Sequence, residues 1–374
     1  MFSEQKIYIT STMRSGNSLI NNLLSVHSNI LVLITRVNFF RFYYKNKKYE
    51  PLSKNTLERM LYHLSIRLRY RYKLDLEVGQ LKADILKKGI SYPVIYDEMM
   101  TYFLTKSGRK IWGESVAMNW REIPSFLKFF PRGKAIHLYR DPRAVTASWK
   151  KLSSMPNNEY LNCIFNWVDS INYVEKYTNM LSANSYFPIK YEDLVNSPEE
   201  WTKKLCNFLE VPCENGMLEP EKWKDLIGGF VPIAKSSYAG DVVGFSPERA
   251  ARWKNQIEDS DLCLIETLAG DLLEKYGFKL RGKKFSPKEF AFALEKLKKS
   301  DFLLKNLYIY LTTGEGSGNY PNDPADVKYW GVANKNTWWV DTPEAKQYLK
   351  EIEEIDRKLG FEVENDTYRI GISR

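Results

Sequence analysis

The stretch Lys6-Ile7-Tyr8-Ile9-Thr10-Ser11-Thr12-Met13-Arg14-Ser15-Gly16-Asn17-Ser18-Leu19-Ile20-Asn21-Asn22-Leu23-Leu24 decides the fold. Lys6–Thr10 is a short, largely apolar run of strand size. Ser11–Ser18 is small and polar, and Leu19–Leu24 spaces its apolar residues as a helix does. Strand, loop and helix in that order open a βαβ unit. The loop between first strand and helix is where α/β proteins bind phosphates, because backbone N–H groups and the helix dipole point at the anion. A Walker loop would read G-x-x-x-x-G-K-[ST]. Here Gly16 is present, but Asn17 stands where the lysine would be and Ser11 where the first glycine would be. That weighs against Mg-ATP chemistry. Arg14, two residues before Gly16, supplies a cation that can fork onto a departing phosphate, and Ser15 and Ser18 add hydroxyl donors. Small residues ahead of a helix also make ordinary structural turns, so this loop by itself decides no function.

Working outward, Thr56–Lys73 reads as an amphipathic basic helix, with strand candidates at Val94–Tyr96 and Ile111–Trp112. Ile123–Phe130 reads as a helix and Ala135–Tyr139 as a strand. Asp141-Pro142-Arg143 then starts a helix to about Lys151, with Asp at the cap and Pro at the first helical position. Tyr186–Tyr191 is a further strand, Ser197-Pro198-Glu199-Glu200 opens a helix through Leu209, and Asp261–Tyr276 is a helix closed by Gly277. Strands alternating with helices predict a three-layer α/β/α architecture around a mainly parallel sheet. After residue 280 the character changes: Arg281–Lys299 is Lys-rich, Thr312–Trp339 is rich in Gly, Asn, Pro and aromatics, and Thr342–Leu359 is a charged helix. The expected organisation is a main domain over 1–280 and a C-terminal extension over 281–374 that packs on or caps it.

The bulk composition fits this picture. The chain has 374 residues, 44% hydrophobic and 27% charged, which is ordinary for a globular protein. Its net charge of +9 favours anionic partners: nucleic acid, anionic membrane, or phosphate- and sulfate-bearing small molecules. Cys163, Cys206, Cys213 and Cys263 form no C-x-x-C pair, so neither a zinc site nor a disulfide framework is signalled. Met1–Lys6 is mostly polar and no apolar run reaches membrane-spanning length, so neither a cleavable leader nor a membrane span is expected, and the expected location is the cytoplasm.

A second motif joins the first. In Leu138-Tyr139-Arg140-Asp141-Pro142-Arg143-Ala144-Val145-Thr146-Ala147-Ser148-Trp149-Lys150-Lys151, Arg140 ends a strand and Ser148 lies about two turns into the next helix. Both can converge on one anion, although a well-capped helix with a salt-bridged Arg would also read this way. Together the two motifs resemble the PAPS-dependent sulfotransferase family (PAPS is 3′-phosphoadenosine 5′-phosphosulfate). STMRSGNS is similar to that family's 5′-phosphosulfate loop, in its Arg form, and YRDPRAVTASWKK to its 3′-phosphate signature. Ile189-Lys190-Tyr191-Glu192-Asp193-Leu194 resembles its "YEDL" run and Arg252-Trp253-Lys254 its late "RWK" element. The resemblance covers roughly residues 6–280. It implies a P-loop-like nucleotide-binding fold, transfer of a sulfuryl group from PAPS to a hydroxyl or amine of a carbohydrate or other small metabolite, release of PAP, and no metal. It implies that Arg14, Ser15, Gly16, Asn17 and Ser18 hold the 5′ end, Arg140 and Ser148 the 3′-phosphate, and that Tyr191, Arg252, Trp253 and Lys254 complete the nucleotide site.

The pattern departs at the general base. The family often places a Glu downstream of the loop Arg, or a His after a mid-domain Lys. Here the first region reads Ile34-Thr35-Arg36-Val37-Asn38 and the second Gly113-Glu114-Ser115-Val116-Ala117, with Ser115 in place of the Lys. Glu114, at the end of a strand, is the candidate base beside Arg14, with Asp97 and Glu98 behind it and His63 a distant further choice; a solvated or salt-bridged strand-end carboxylate is the equally weighted alternative for Glu114. His27 and His137 read as a helix end and a core residue. Arg67, Arg69, Arg71 and Lys73 on the basic helix suit an anionic acceptor, or simply a solvated face. Trp330, Trp338 and Trp339 suit either sugar stacking or anchoring of the extension. A nucleotide kinase or NTPase is disfavoured by the missing Walker lysine. A non-enzymatic nucleotide- or nucleic-acid-binding protein has no RNA-binding signature behind it, so no nucleic-acid partner is expected. Oligomeric state is not legible.

Overall fold

The computed structural model describes residues 5–152, 156–223, 244–282, 284–318 and 343–362. Among these residues a five-stranded sheet runs in the order β2-β3-β1-β4-β5, from β1 (Lys6–Ser11), β2 (Ile30–Ile34), β3 (Ile111–Ser115), β4 (Lys134–Tyr139) and β5 (Tyr186–Lys190). Every pairing is parallel: Ile9 stands opposite Ser115 on one side and Ile136 on the other, Ile34 opposite Ser115, and Tyr139 opposite Lys190. The helices that position the site are α1 (Asn17–Ser25), α2 (Lys54–Tyr72), α3 (Tyr92–Ser107), α4 (Pro142–Leu152), α5 (Asn162–Met180), α6 (Asp259–Lys275), α7 (Asp301–Thr313) and α8 (Pro343–Lys358).

Both faces of the sheet are covered, which explains why its strands read as continuous apolar runs. Ile7, Ile9, Ile30, Val32, Ile136, Leu138 and Ile189 pack on the side of α1 and the helix Pro198–Phe208. Tyr8, Leu31, Leu33, Trp112 and Ala135 pack on the opposite side, against residues of α2, α3 and α5. The expected three-layer α/β/α architecture with a parallel sheet is therefore observed. From the central β1, the chain moves to β2 and β3 on one side and then to β4 and β5 on the other. The crevice outside the carboxyl end of β1 is thus the topological switch point, where ligands of open α/β sheets bind.

Two local expectations are corrected. Val94–Tyr96 is not a strand but lies inside α3, which has Ser91 as its N-cap residue, Pro93 in its first turn, and Ile95, Met99 and Phe103 buried at helical spacing. The strand β2 was not anticipated. Ile30-Leu31-Val32-Leu33-Ile34 is an unbroken apolar run without alternation, which suits a strand buried on both faces as well as a short helix.

Beyond residue 280, Ala293, Leu297 and Leu303 are buried in the core on the α2–α5 side. Asn306 Nδ2 donates to Asn162 Oδ1 at 2.6 Å, and Ser317 N donates to the Phe165 carbonyl at 3.0 Å. Helix α8 packs on α2. Trp330, Trp338 and Trp339 lie outside the described residues. The four cysteines are free thiols. Among the described residues no helix is long and apolar enough to cross a membrane.

Candidate active site

The chain leaves β1 at Ser11 and enters α1 at Asn17 through a loop in which two residues adopt left-handed backbone, Arg14 (φ 67°) and Gly16 (φ 106°). Gly16 is the N-cap of α1 and, having no side chain, leaves the first turn without a side-chain cap. Such an end carries uncompensated N–H groups and positive potential. Within the loop, Ser11 Oγ donates to Asn17 Oδ1, and the Thr12 and Ser15 hydroxyls bond each other. Ser15 and Asn17 therefore shape the loop, while Ser18 is exposed at the helix start.

Gly16 is required twice over. A Cβ there would sit 2.3 Å from Cδ2 of Tyr191, and an L side chain is strained at that φ in any case. Gly16→Ala is expected to destabilise the fold by at least about 2 kcal/mol, read as a lower urea midpoint. Adding Tyr191→Leu should restore part of this, because it relieves the clash but not the φ.

The second motif meets the first directly. Asp141 Oδ1 accepts from Arg143 N at 2.9 Å and so caps α4, with Pro142 next in line. Ser148, two turns along, accepts from Arg14 Nε at 3.0 Å. Arg140, just past β4, donates from Nη1 to the Arg14 carbonyl and from Nη2 to the Arg249 carbonyl, both at 3.1 Å, and its guanidinium lies 4.3 Å from the centre of the Tyr191 ring. Its Nε is buried with no hydrogen-bond partner among the described residues. Trp253 is buried under Arg143, whose guanidinium stands 4.1 Å from its ring and pairs with Asp141 at 2.8 Å and Glu266 at 2.6 Å. Lys254 is exposed and does not line the cleft, unlike Arg252 and Trp253.

These elements enclose a cleft of about 300 Å³ at the switch point. Arg14, Arg140, Arg249 and Arg252 line it, and no carboxylate does among the described lining residues. Arg249, three residues ahead of the RWK element, was not singled out from the sequence. Just behind the wall, Glu192 Oε1 accepts from Asp141 N at 3.1 Å. Burial and then the neighbouring Asp141 push its carboxyl up to about 7, against the opposing pull of Arg140.

The carboxylates expected to serve as base are elsewhere. Glu114 is fully buried, with Oε1 accepting from Asn38 N and Oε2 from the Tyr96 hydroxyl, both at 2.6 Å. Burial raises its pKa. It shares a strand face with Trp112, toward α3, while the next residue, Ser115, lines the cleft. The expectation of a base there is corrected: Glu114 sits at the right strand end and on the wrong face. Asp97 is held by Lys6 at 3.1 Å and Trp112 Nε1 at 2.8 Å, and Glu98 by Lys88 at 2.6 Å. His63 is buried between Tyr49 and Asp356, and burial lowers its pKa to about 4. His137 is a buried core residue bonded to Tyr186 and Ser170. His27, just beyond α1, bonds the Pro212 carbonyl.

The basic helix does not present one solvated face. Arg67 is buried, donating to the carbonyls of Arg36 and Val37 at 2.5 and 2.7 Å, while Arg69 pairs with Glu351 and Lys73 is exposed. Among the described residues no group of three or more His, Cys, Asp or Glu is placed to hold a metal ion.

The chain is similar to known proteins in sequence and in fold. The match to a protein-tyrosine sulfotransferase of Drosophila melanogaster is 27% identical over 137 residues, covering 35% of this chain and 27% of that protein. Protein-tyrosine sulfotransferase 1 of Danio rerio is 30% identical over 144 residues, covering 37% of this chain and 40% of that protein. The matches thus span well under half the length of these relatives. The sulfotransferase domain from the curacin biosynthetic pathway shares the fold, with a TM-score of 0.50 at 20% identity over 73% of this chain and 98% of that one. The model of the sulfotransferase family matches residues 6–215, more than half of the sequence, and the chain belongs to that family.

Proposed function

We propose that the protein transfers the sulfuryl group of PAPS to a hydroxyl of an acceptor and releases PAP. The observation that carries this reading is the cleft itself: four arginines, no carboxylate among its described lining residues, and one buried guanidinium nitrogen of Arg140 left for a ligand. A nucleotide with charged groups at both 3′ and 5′ positions matches that distribution. In this reading the start of α1 and Arg14 hold the 5′ end, and Arg140 and Ser148 take the 3′-phosphate. Tyr191 and Trp253 flank the nucleotide, with Arg249 and Arg252 at the rim.

The bond from sulfur to the 5′-phosphate oxygen breaks as a bond forms from sulfur to the acceptor oxygen, and the acceptor's proton leaves to solvent. Negative charge grows on the departing phosphate, and fixed cations around it stabilise that state without reorganising. Alignment of the two oxygens supplies the rest. Two acceptor classes stand open: a carbohydrate or other small metabolite, and a tyrosine hydroxyl, which the names of the two relatives favour. Incubating the full chain with PAPS and either a neutral sugar or a tyrosyl peptide tests this. Acceptor-dependent release of PAP with equimolar sulfated product is expected; PAPS left intact with every hydroxyl tried contradicts the reading.

A further inference from the structure

The cleft has two unlike walls. The cations lie on the β4 side: Arg14 is tied to Ser148 of α4, Arg140 follows β4, and Arg249 is tied to Arg140. The opposite wall, at the carboxyl ends of β2 and β3 and along α1, is made of Asn21, Asn22, Ile34, Thr35, Ser115 and Ala117 and carries no charge.

That neutral wall holds two buried polar side chains with no hydrogen-bond partner among the described residues. Asn21, in the middle of α1, is completely buried, and neither Nδ2 nor Oδ1 has a partner among the described residues. Ser115 is 1% exposed and its Oγ is likewise without a partner. Its carbonyl, by contrast, is used, accepting from Thr35 N at 3.1 Å at the end of a strand paired on both sides. Buried polar groups are nearly always hydrogen-bonded, and each exception calls for a cause. Thr35 beside them is a β-branched residue at φ 55°, a conformation such residues rarely adopt. It is held there by the bond to Ser115 O and by the Tyr72 hydroxyl, 3.0 Å from both Thr35 Oγ1 and Thr35 O. Strain of this kind is kept where surrounding structure enforces it, commonly at binding sites.

We infer that Asn21 and Ser115 form the acceptor subsite, which takes an uncharged, hydroxyl-bearing group. This rests on the sulfotransferase reading above and assigns the other half of the same cleft. An amide offers both an acceptor and donors, and a hydroxyl offers one donor and two lone pairs. Together they bond an alcohol or phenol without needing it to be charged. A site built this way rejects analogues lacking the hydroxyl, because its own buried groups are then left unpaired.

The test uses the full chain as wild type, Asn21→Leu, Ser115→Ala and Ser115→Thr, with PAP titrated by calorimetry. Initial rates are measured with PAPS and the fastest acceptor among p-nitrophenol, a tyrosyl dipeptide and a neutral monosaccharide. PAP affinity should stay within about threefold of wild type, while kcat/KM for the acceptor falls by about tenfold or more, chiefly through KM, and Ser115→Thr recovers most of it. Melting temperatures of the Leu and Ala variants should match or exceed wild type, since an unpaired buried group has been removed. Weakened PAP binding with unchanged acceptor KM would place both residues in the nucleotide half and overturn the assignment. Unchanged acceptor kinetics in both variants, or a wild-type chain active on an anionic acceptor and on none of the neutral ones, would also overturn it. A wild-type chain that binds no PAP fails differently, by removing the donor reading on which the subsite stands.

Discussion

Replacing Arg140 by alanine is expected to weaken PAP binding by about a hundredfold or more, the scale of losing a charge-assisted, forked contact to phosphate. Arg140 is held on three sides before any ligand arrives. Its two terminal nitrogens bond the carbonyls of Arg14 and Arg249, and the guanidinium lies over Tyr191. A side chain fixed this way loses little entropy on binding, so most of its interaction with an anion is expressed as affinity. Its Nε has no hydrogen-bond partner among the described residues, so the anchoring bonds do not satisfy it. Arg140→Lys keeps the charge but not the fork, and should regain at most about tenfold. Because Arg140 also ties the loop after β1 to the segment around Arg249, its variants are compared at matched folded fraction by circular dichroism. Unaltered PAP affinity in a folded Arg140→Ala protein would move the 3′-phosphate elsewhere.

The largest stability effect is expected at a position remote from the cleft. Asp356 of α8 is 2% exposed and accepts from Arg59 Nε at 2.8 Å, Arg59 Nη2 at 2.7 Å and His63 Nε2 at 2.8 Å. Burial alone would raise its pKa, but the hydrogen bonds from His63 and Arg59 prevail and hold it well below the usual carboxylate range. Asp356→Ala strands a buried guanidinium and should cost about 3–5 kcal/mol in urea unfolding. His63 sets the pH dependence of the same cluster. Burial depresses it to about 4, so it is neutral at pH 7 in the folded protein, with Nε2–H directed at Asp356 and Nδ1 accepting from Tyr49. The unfolded chain takes up this proton near 6.5, so stability is fully present above that pH and falls as the pH drops toward 4. The loss is about 2 kcal/mol by pH 5 from His63 alone. The buried His137, lowered to about 3, acts in the same direction. His63→Gln should shallow the acid slope, and a slope unchanged by it would contradict the assignment.

The parts legible in the sequence were those specified locally. A strand, a small polar loop and a helix lie within residues 6–24, and an Asp-Pro helix start lies beside Arg140, so the elements that carry both motifs are legible in place. The strand β2 is not legible because a run buried on both faces loses the period-two signal. The three apolar residues Val94–Tyr96 suit a strand by themselves, whereas the helix shows only when Ser91, Pro93 and the later Met99 and Phe103 are counted together. Glu114 failed by one position of register: alternation gave the cleft to Ser115. Asn21 and Ser115 are unremarkable as letters. They become informative only when tertiary packing buries them with no partner among the described residues, a non-local property that sequence spacing does not carry.

Calorimetric titration of the full chain with PAP in excess EDTA, set beside ATP with magnesium, asks which nucleotide the cleft takes. Saturable PAP binding that the chelator leaves unchanged is expected, with much weaker binding of ATP. Binding of ATP with magnesium and none of PAP would contradict the sulfotransferase reading of this cleft.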